Sequence, residues 1–215
     1  MMKKGFTLSE VLITLSIVGV VAVLTIPSVV KNYRNRLYVS QLQKVTAQIE
    51  NAAAMLMADE HVDNFKETSA FKATVGSTGL NGRQYFLRNY FKTAKVGTGS
   101  TNSILGPSYR SISGVALVTP NYDCIQTKNG AAVCLTLNSV NNFIHLIVDV
   151  NGKAEPNITG RDYFLLTISD DGTVRDHNAD TTKCNTYVDW GETNPNSYAH
   201  GCFQAIVDAG WKMEY

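Results

Sequence analysis

The chain has 215 residues, room for one ordinary domain plus a long helix, since a single core takes roughly 100–200 residues. Its 19 lysines and arginines stand against 18 acidic residues, which removes any bulk electrostatic case for nucleic acid, an acidic substrate or an anionic surface. Partners have to be read from individual segments.

The first segment is an inverted leader. Lys3 and Lys4 run directly into Gly5, and an apolar stretch from Phe6 to Ile26 follows, with Glu10 as its only formal charge. At about 1.5 Å per residue this stretch covers roughly 32 Å as a helix, enough to cross a bilayer. A secretory leader places its small-residue cleavage site after the apolar core. Here cleavage after Gly5 would discard the charges and keep the helix, which makes the helix an assembly element. Glu10 supplies the reason. An ionised carboxylate deep in a bilayer costs about 2.5–3.5 kcal/mol and is retained for function. The α-amino group released on Phe6 would neutralise Glu10, and we expect that pairing to join neighbouring subunits.

Residues Lys3-Lys4-Gly5-Phe6-Thr7-Leu8-Ser9-Glu10-Val11-Leu12-Ile13 resemble the leader and processing site of type IV pilins and type II secretion pseudopilins. The resemblance implies a prepilin peptidase that cuts after Gly5 and N-methylates Phe6, with Glu10 as the assembly glutamate. It also fixes the orientation, because the lysines before the span and Lys31, Arg34 and Arg36 after it leave the positive-inside rule ambiguous. Pro27 falls where many of these proteins carry a helix-bending proline. It lacks a backbone donor and crowds the preceding turn, so a bend or local melting is expected near residues 23–27.

Beyond Pro27, Tyr38, Leu42, Val45, Ile49, Ala53 and Leu56 recur at three- or four-residue steps, the pattern of an amphipathic helix that packs on its own domain. The helix is expected from about Phe6 to about Ala58. Lys31, Arg34 and Arg36 would meet anionic lipid heads, acidic groups of a neighbouring subunit, or plain solvent. The sequence assigns them no ligand.

From Asp63 the pattern loosens. Tyr85, Phe86, Tyr90 and Phe91 are expected on one buried helical face, and Gly97 to Pro107 reads as a surface loop. Val115–Val118, Ala132–Leu137, Phe143–Val150 and Tyr163–Ile168 are short β-branched or apolar runs between turn residues, as in an antiparallel meander. The fold class is therefore α+β: a long N-terminal helix, membrane-spanning in its first half, packed against a small antiparallel sheet, pilin-like. The expected divisions are a leader at 1–5, a transmembrane and filament-core helix at 6–27, its amphipathic continuation at 28–60, and an exported globular domain at 61–215.

All four cysteines lie beyond residue 120, without CxxC or zinc spacing, which in an exported domain indicates disulfides. Asn129-Gly130 between Cys124 and Cys134 suggests a hairpin turn, so pairing those two is economical and leaves Cys184 with Cys202 around a polar loop containing Trp190, Asn194, Pro195 and Asn196. Spacing alone does not fix the connectivity. Pilins often staple a C-terminal loop in this way.

Asp149-Val150-Asn151-Gly152, with Glu155, Asn157 and Asp162, gathers oxygen atoms near a turn. Major pseudopilins carry a calcium site in their C-terminal region, so Asp149, Asn151 and Asp162 are candidate calcium ligands by resemblance. Calcium needs six or more oxygens, Asp-x-Asn-Gly is also ordinary turn chemistry, and the EF-hand spacing is absent. Asn151-Gly152, Pro156-Asn157 and Gly160 to Phe164 weakly resemble a stretch found in many pilin-like proteins.

No nucleophile elbow, zincin, P-loop or dinucleotide motif occurs, and His61, His145, His177 and His200 are scattered. The chain is expected not to be an enzyme. The resemblance implies a structural subunit of a type IV pilus-like filament, whose partners are copies of itself, other pilins, the prepilin peptidase and an inner-membrane assembly platform, with no sign of nucleic acid. It would reside in the bacterial inner membrane before assembly, then in a periplasmic or surface filament. The alternatives are a type II secretion pseudopilin and, from another class, a membrane-tethered periplasmic binding domain or enzyme. Exposed aromatics in the Asp176–Gly201 loop would favour adhesion and a pilus; calcium would favour a pseudopilin.

Overall fold

The computed structural model describes residues 5, 7–72, 82–98, 104–117, 122–138, 143–184 and 201–215. The chain divides into two compact units, Met1–Leu37 and Tyr38–Tyr215. One helix, α1, runs over Leu8–Asp59 and contributes to both.

In the first unit α1 begins with a capping box. The Thr7 backbone N–H donates to Glu10 Oε2 at 2.8 Å, the Thr7 hydroxyl donates to the same oxygen at 2.7 Å, and the Glu10 N–H points back to Thr7 Oγ1 at 3.4 Å. A Thr-x-x-Glu sequence satisfies helix N-terminal donors in this reciprocal way. The hydroxyls of Thr14, Ser16, Thr25 and Ser28 donate to carbonyls one turn back, those of Val11, Leu12, Val21 and Thr25. Such back-bonding leaves those hydroxyls satisfied without water, as a lipid environment demands. Pro27 lies inside the helix, and residues 23–27 are helical, so local melting does not occur there.

In the second unit, residues 38–59 of α1 bury Tyr38, Val39, Leu42, Val45, Thr46, Ile49, Ala52, Ala53 and Leu56. Gly172, in the turn between β7 and β8, comes up against Ala53 and Met57 of the helix. The sheet has the order β1-β4-β5-β6-β7-β8, built from β1 (Thr93–Thr98), β4 (Asp123–Thr127), β5 (Ala132–Asn138), β6 (Phe143–Asp149), β7 (Tyr163–Ile168) and β8 (Val174–Asp176). Every pairing in it is antiparallel. Because side chains alternate along a strand, Val133, Leu135, Ile144, Leu146, Val148, Phe164 and Leu166 join the core with α1, while Ala132, Ile147, Tyr163 and Leu165 form a second cluster on the opposite face. The α+β expectation is met, down to the limits of β7.

Short elements depart from the sequence reading. β2 (Tyr109–Arg110) and β3 (Ala116–Leu117) make a separate two-stranded ribbon; Val118 lies outside the described residues. Gly97 belongs to β1, and Ile104 and Leu105, each 1% exposed, plug the second cluster, so the expected surface loop is partly core. Small helices α2 (Ser69–Lys72) and α3 (Arg83–Asn89) precede the sheet. On α3, Phe86 is fully buried against Phe65 and Phe91 at ring separations of 6.0 and 5.5 Å, whereas Tyr85 and Tyr90 are only half-buried. Tyr90 instead turns its hydroxyl to Asp59 at 2.7 Å, so a phenol finds a polar partner at the rim. A last helix, α4 (Cys202–Asp208), closes the chain.

Candidate functional site

The segment in which the sequence places the processing and assembly residues is the N-terminal helix. Gly5 is exposed, and Phe6 lies outside the described residues. Glu10 sits in the first turn of α1, exposed, its described partners being the backbone and hydroxyl of Thr7. Around and after it Leu8, Leu15, Val23 and Leu24 are 63–78% exposed, and the most apolar window of the helix is 0% buried. A bare apolar face of this length has no reason to exist in water. By length and composition the helix can cross a membrane.

Two disulfides lock the second unit. Cys124 and Cys134 face each other in register across β4 and β5 and are bonded, and Cys184 is bonded to Cys202 at the start of α4. The Asn129-Gly130 turn lies between the first pair, with Gly130 at φ +94°, a conformation glycine adopts without strain. The aromatic loop centred on Trp190 lies outside the described residues.

Sequence reasoning missed the device that anchors α4. Asp176, at the end of β8, accepts N–H donors from Gly201 at 3.0 Å and Asn178 at 3.1 Å on one oxygen, and from Phe203 at 3.0 Å and Gln204 at 3.1 Å on the other. Burial raises its pKa despite these bonds. The carboxylate does the work of an N-cap from another strand, and no local spacing could have revealed it.

The three candidate calcium ligands do come together. Asp149 and Asp162 are fully buried, and Asn151 bonds Asp162 through its side chain. Their carboxylates, however, are occupied. Tyr109 donates its hydroxyl to Asp149 Oδ2 at 2.6 Å, Asn151 N–H reaches Asp149 Oδ1 at 3.2 Å, and Asp162 accepts from Asn157 N–H at 2.8 Å and Ile158 N–H at 2.7 Å. Burial, first of all, raises both carboxyl pKa values, Asp149 well above the usual range, and the partner carboxylate adds to the rise at Asp149. Among the described residues no group of three or more His, Cys, Asp or Glu is placed to hold a metal. As arranged, the cluster is a hydrogen-bonded knot that ties the 104–111 segment to β6 and the 157–162 turn, and Asn151 Oδ1, Asn157 Oδ1 and Thr159 Oγ1 are buried without a hydrogen bond among the described residues.

His145 is half-buried in β6, stacked on His177 at 5.1 Å, and Phe143 contacts the two rings at 4.7 and 4.6 Å. Burial lowers both imidazole pKa values, and the neighbouring ring helps to push His145 down to about 4. A nucleophile within reach is not among their described contacts, and His61 and His200 are far off in sequence.

An unburied apolar helix, a glutamate at its first turn and an antiparallel sheet packed on its later turns define a pilin-like architecture. Residues 1–26 match the family model described as the prokaryotic N-terminal methylation motif, the prepilin motif. Motif, apolar helix and disulfides together support a protein of the type IV pilin or pseudopilin type. No curated protein and no solved structure matches the chain.

Proposed function

We propose that this chain is a structural subunit of a type IV pilus-like filament, trimmed by prepilin peptidase after Gly5 and assembled through α1. The observation that supports this most is the bare apolar helix beginning beside Glu10. Before assembly, lipid covers that surface. On assembly, helices of neighbouring subunits replace the lipid, and the open head-to-tail stacking gives a helical polymer.

Processing supplies the charge logic. The amine freed on Phe6 becomes a positive partner for Glu10 on an adjacent subunit, so docking relieves a carboxylate that is costly alone in hydrocarbon. In this reading residues 1–5 are the leader, 6–27 the spanning and filament-core helix, 28–60 its amphipathic continuation and 61–215 the exported domain. Other pilins, the peptidase and an inner-membrane platform are the partners, and the finished filament is periplasmic or on the surface. The role is structural.

Shearing cells and taking the intact mass of the released protein tests this. A mass starting at methylated Phe6 in abundant surface fibres is expected. Processed protein that stays in the envelope makes the chain a secretion pseudopilin instead, and a working protein that retains Met1 to Gly5 overturns the mechanism. Glu10→Ala should reduce filament yield at least tenfold while leaving cleavage intact; normal yield would leave a membrane-tethered domain as the better reading.

A further inference from the structure

The apolar run of α1 ends in a ring of cations. No acidic residue occurs between Glu10 and Glu50, while Lys31, Arg34 and Arg36 follow one another within two turns. All three are exposed, as is Tyr33 at 67%, and none of the three cations enters an ion pair among the described residues. They share no face. At about 100° per residue, Arg34 lies about 60° to one side of Lys31 and Arg36 about 140° to the other, with Tyr33 near the far side. A protein docked on one side of the helix would meet one or two of these charges. A layer that surrounds the helix meets all of them.

Their depth agrees with such a layer. A hydrocarbon core of about 30 Å takes roughly 20 helical residues, which counted from Leu8 ends near Pro27. Lys31 to Arg36 then stand about 6–14 Å farther along the axis, in or just above the headgroup region, and long basic side chains reach back toward it. Tyr33 has the amphipathic ring favoured at this level.

We infer that Lys31, Arg34 and Arg36 bind the headgroups of anionic phospholipids as a collar around α1. The inference rests on the membrane-spanning reading of the helix. It also accounts for cations on the exported side of the span, where orientation rules alone give them no purpose.

The test is spin-label electron paramagnetic resonance on the full chain in phosphatidylcholine bilayers, with trace spin-labelled phosphatidylglycerol or phosphatidylcholine reporting the lipid held at the protein surface. The native chain should favour phosphatidylglycerol roughly fivefold at low salt, about one basic contact per lipid, and lose most of that preference in high salt. On a background of Lys3→Gln and Lys4→Gln, which removes the cations at the other end of the span, each of Lys31→Gln, Arg34→Gln and Arg36→Gln should lower the preference in part, and the triple variant should bring it to about 1 with unchanged phosphatidylcholine restriction. Equal association of both lipids with the inserted native chain overturns the inference. So does a preference abolished by one substitution and untouched by the other two, which would mean a one-sided site. Restricted lipid of neither kind means that α1 does not span the bilayer, in which case the membrane reading fails first.

Discussion

Replacing Asp176 should detach the C-terminal helix from the sheet. Its carboxylate takes four N–H groups, of which those from Gly201 and Phe203 are in buried surroundings and those from Asn178 and Gln204 are partly open. Asp176→Ala strands the two buried donors, at about 1–3 kcal/mol each, while water reaches the other two. The expected loss is therefore roughly 4 kcal/mol, or on the order of 10 °C in melting temperature for a unit of this size. Asp176→Asn keeps one acceptor oxygen for one pair of donors and should lose about half as much. The raised pKa of Asp176 does not contradict this, because it compares the ionised with the protonated acid, whereas alanine removes both. Urea unfolding of the full chain in detergent, with the Cys184–Cys202 bond intact, measures the difference. A loss under about 1 kcal/mol for the alanine variant would refute the reasoning, since α4 would then be held by other means.

His145 should make the fold acid-sensitive. Its folded pKa of about 4 lies below the usual 6.5, so its contribution is complete above about pH 6.5 and is lost as pH falls toward 4, up to roughly 3 kcal/mol. The raised carboxyls of Asp149, Asp162 and Asp176 act oppositely, their contribution falling as pH rises above 3.8. The difference between native protein and His145→Phe, which keeps the ring stack, isolates the histidine; parallel pH–stability curves would refute it. A second buried pair links α3 to the sheet. Arg83 Nε lies 3.6 Å from Asp123 Oδ2 at 1% and 0% exposure, and Gln84 donates to Asp123 at 3.0 Å. Arg83→Met alone should cost about 3–5 kcal/mol in chemical unfolding, while adding Asp123→Leu should recover part of it, the remainder being the buried Gln84 amide left without its acceptor. A double variant as unstable as the single would mean that packing around Arg83 matters more than charge.

What the sequence by itself determined is what neighbours along the chain decide. The lysine pair before Gly5, the apolar run, Glu10 after Thr7 and the later three- and four-residue periodicity are all local, and a helix forms from local hydrogen bonds. The β5, β6 and β7 strands were legible for the same reason, since each is a β-branched run between turn residues. Tertiary structure alone decided the rest. β1, β2 and β8 are too short or too polar to announce themselves, and they become strands because a neighbour offers a hydrogen-bonding edge; β3 falls within the expected Val115–Val118 run, but only the fold pairs it with β2 outside the main sheet. Ile104 and Leu105 are core because the outer face of the sheet needs covering, although their glycine- and serine-rich surroundings look like a surface loop. Tyr109 and Asp149, Arg83 and Asp123, and Asp176 with the start of α4 are each paired across 25–40 residues. Burial selects such pairs, because a polar group removed from water must find its partner wherever the fold places one.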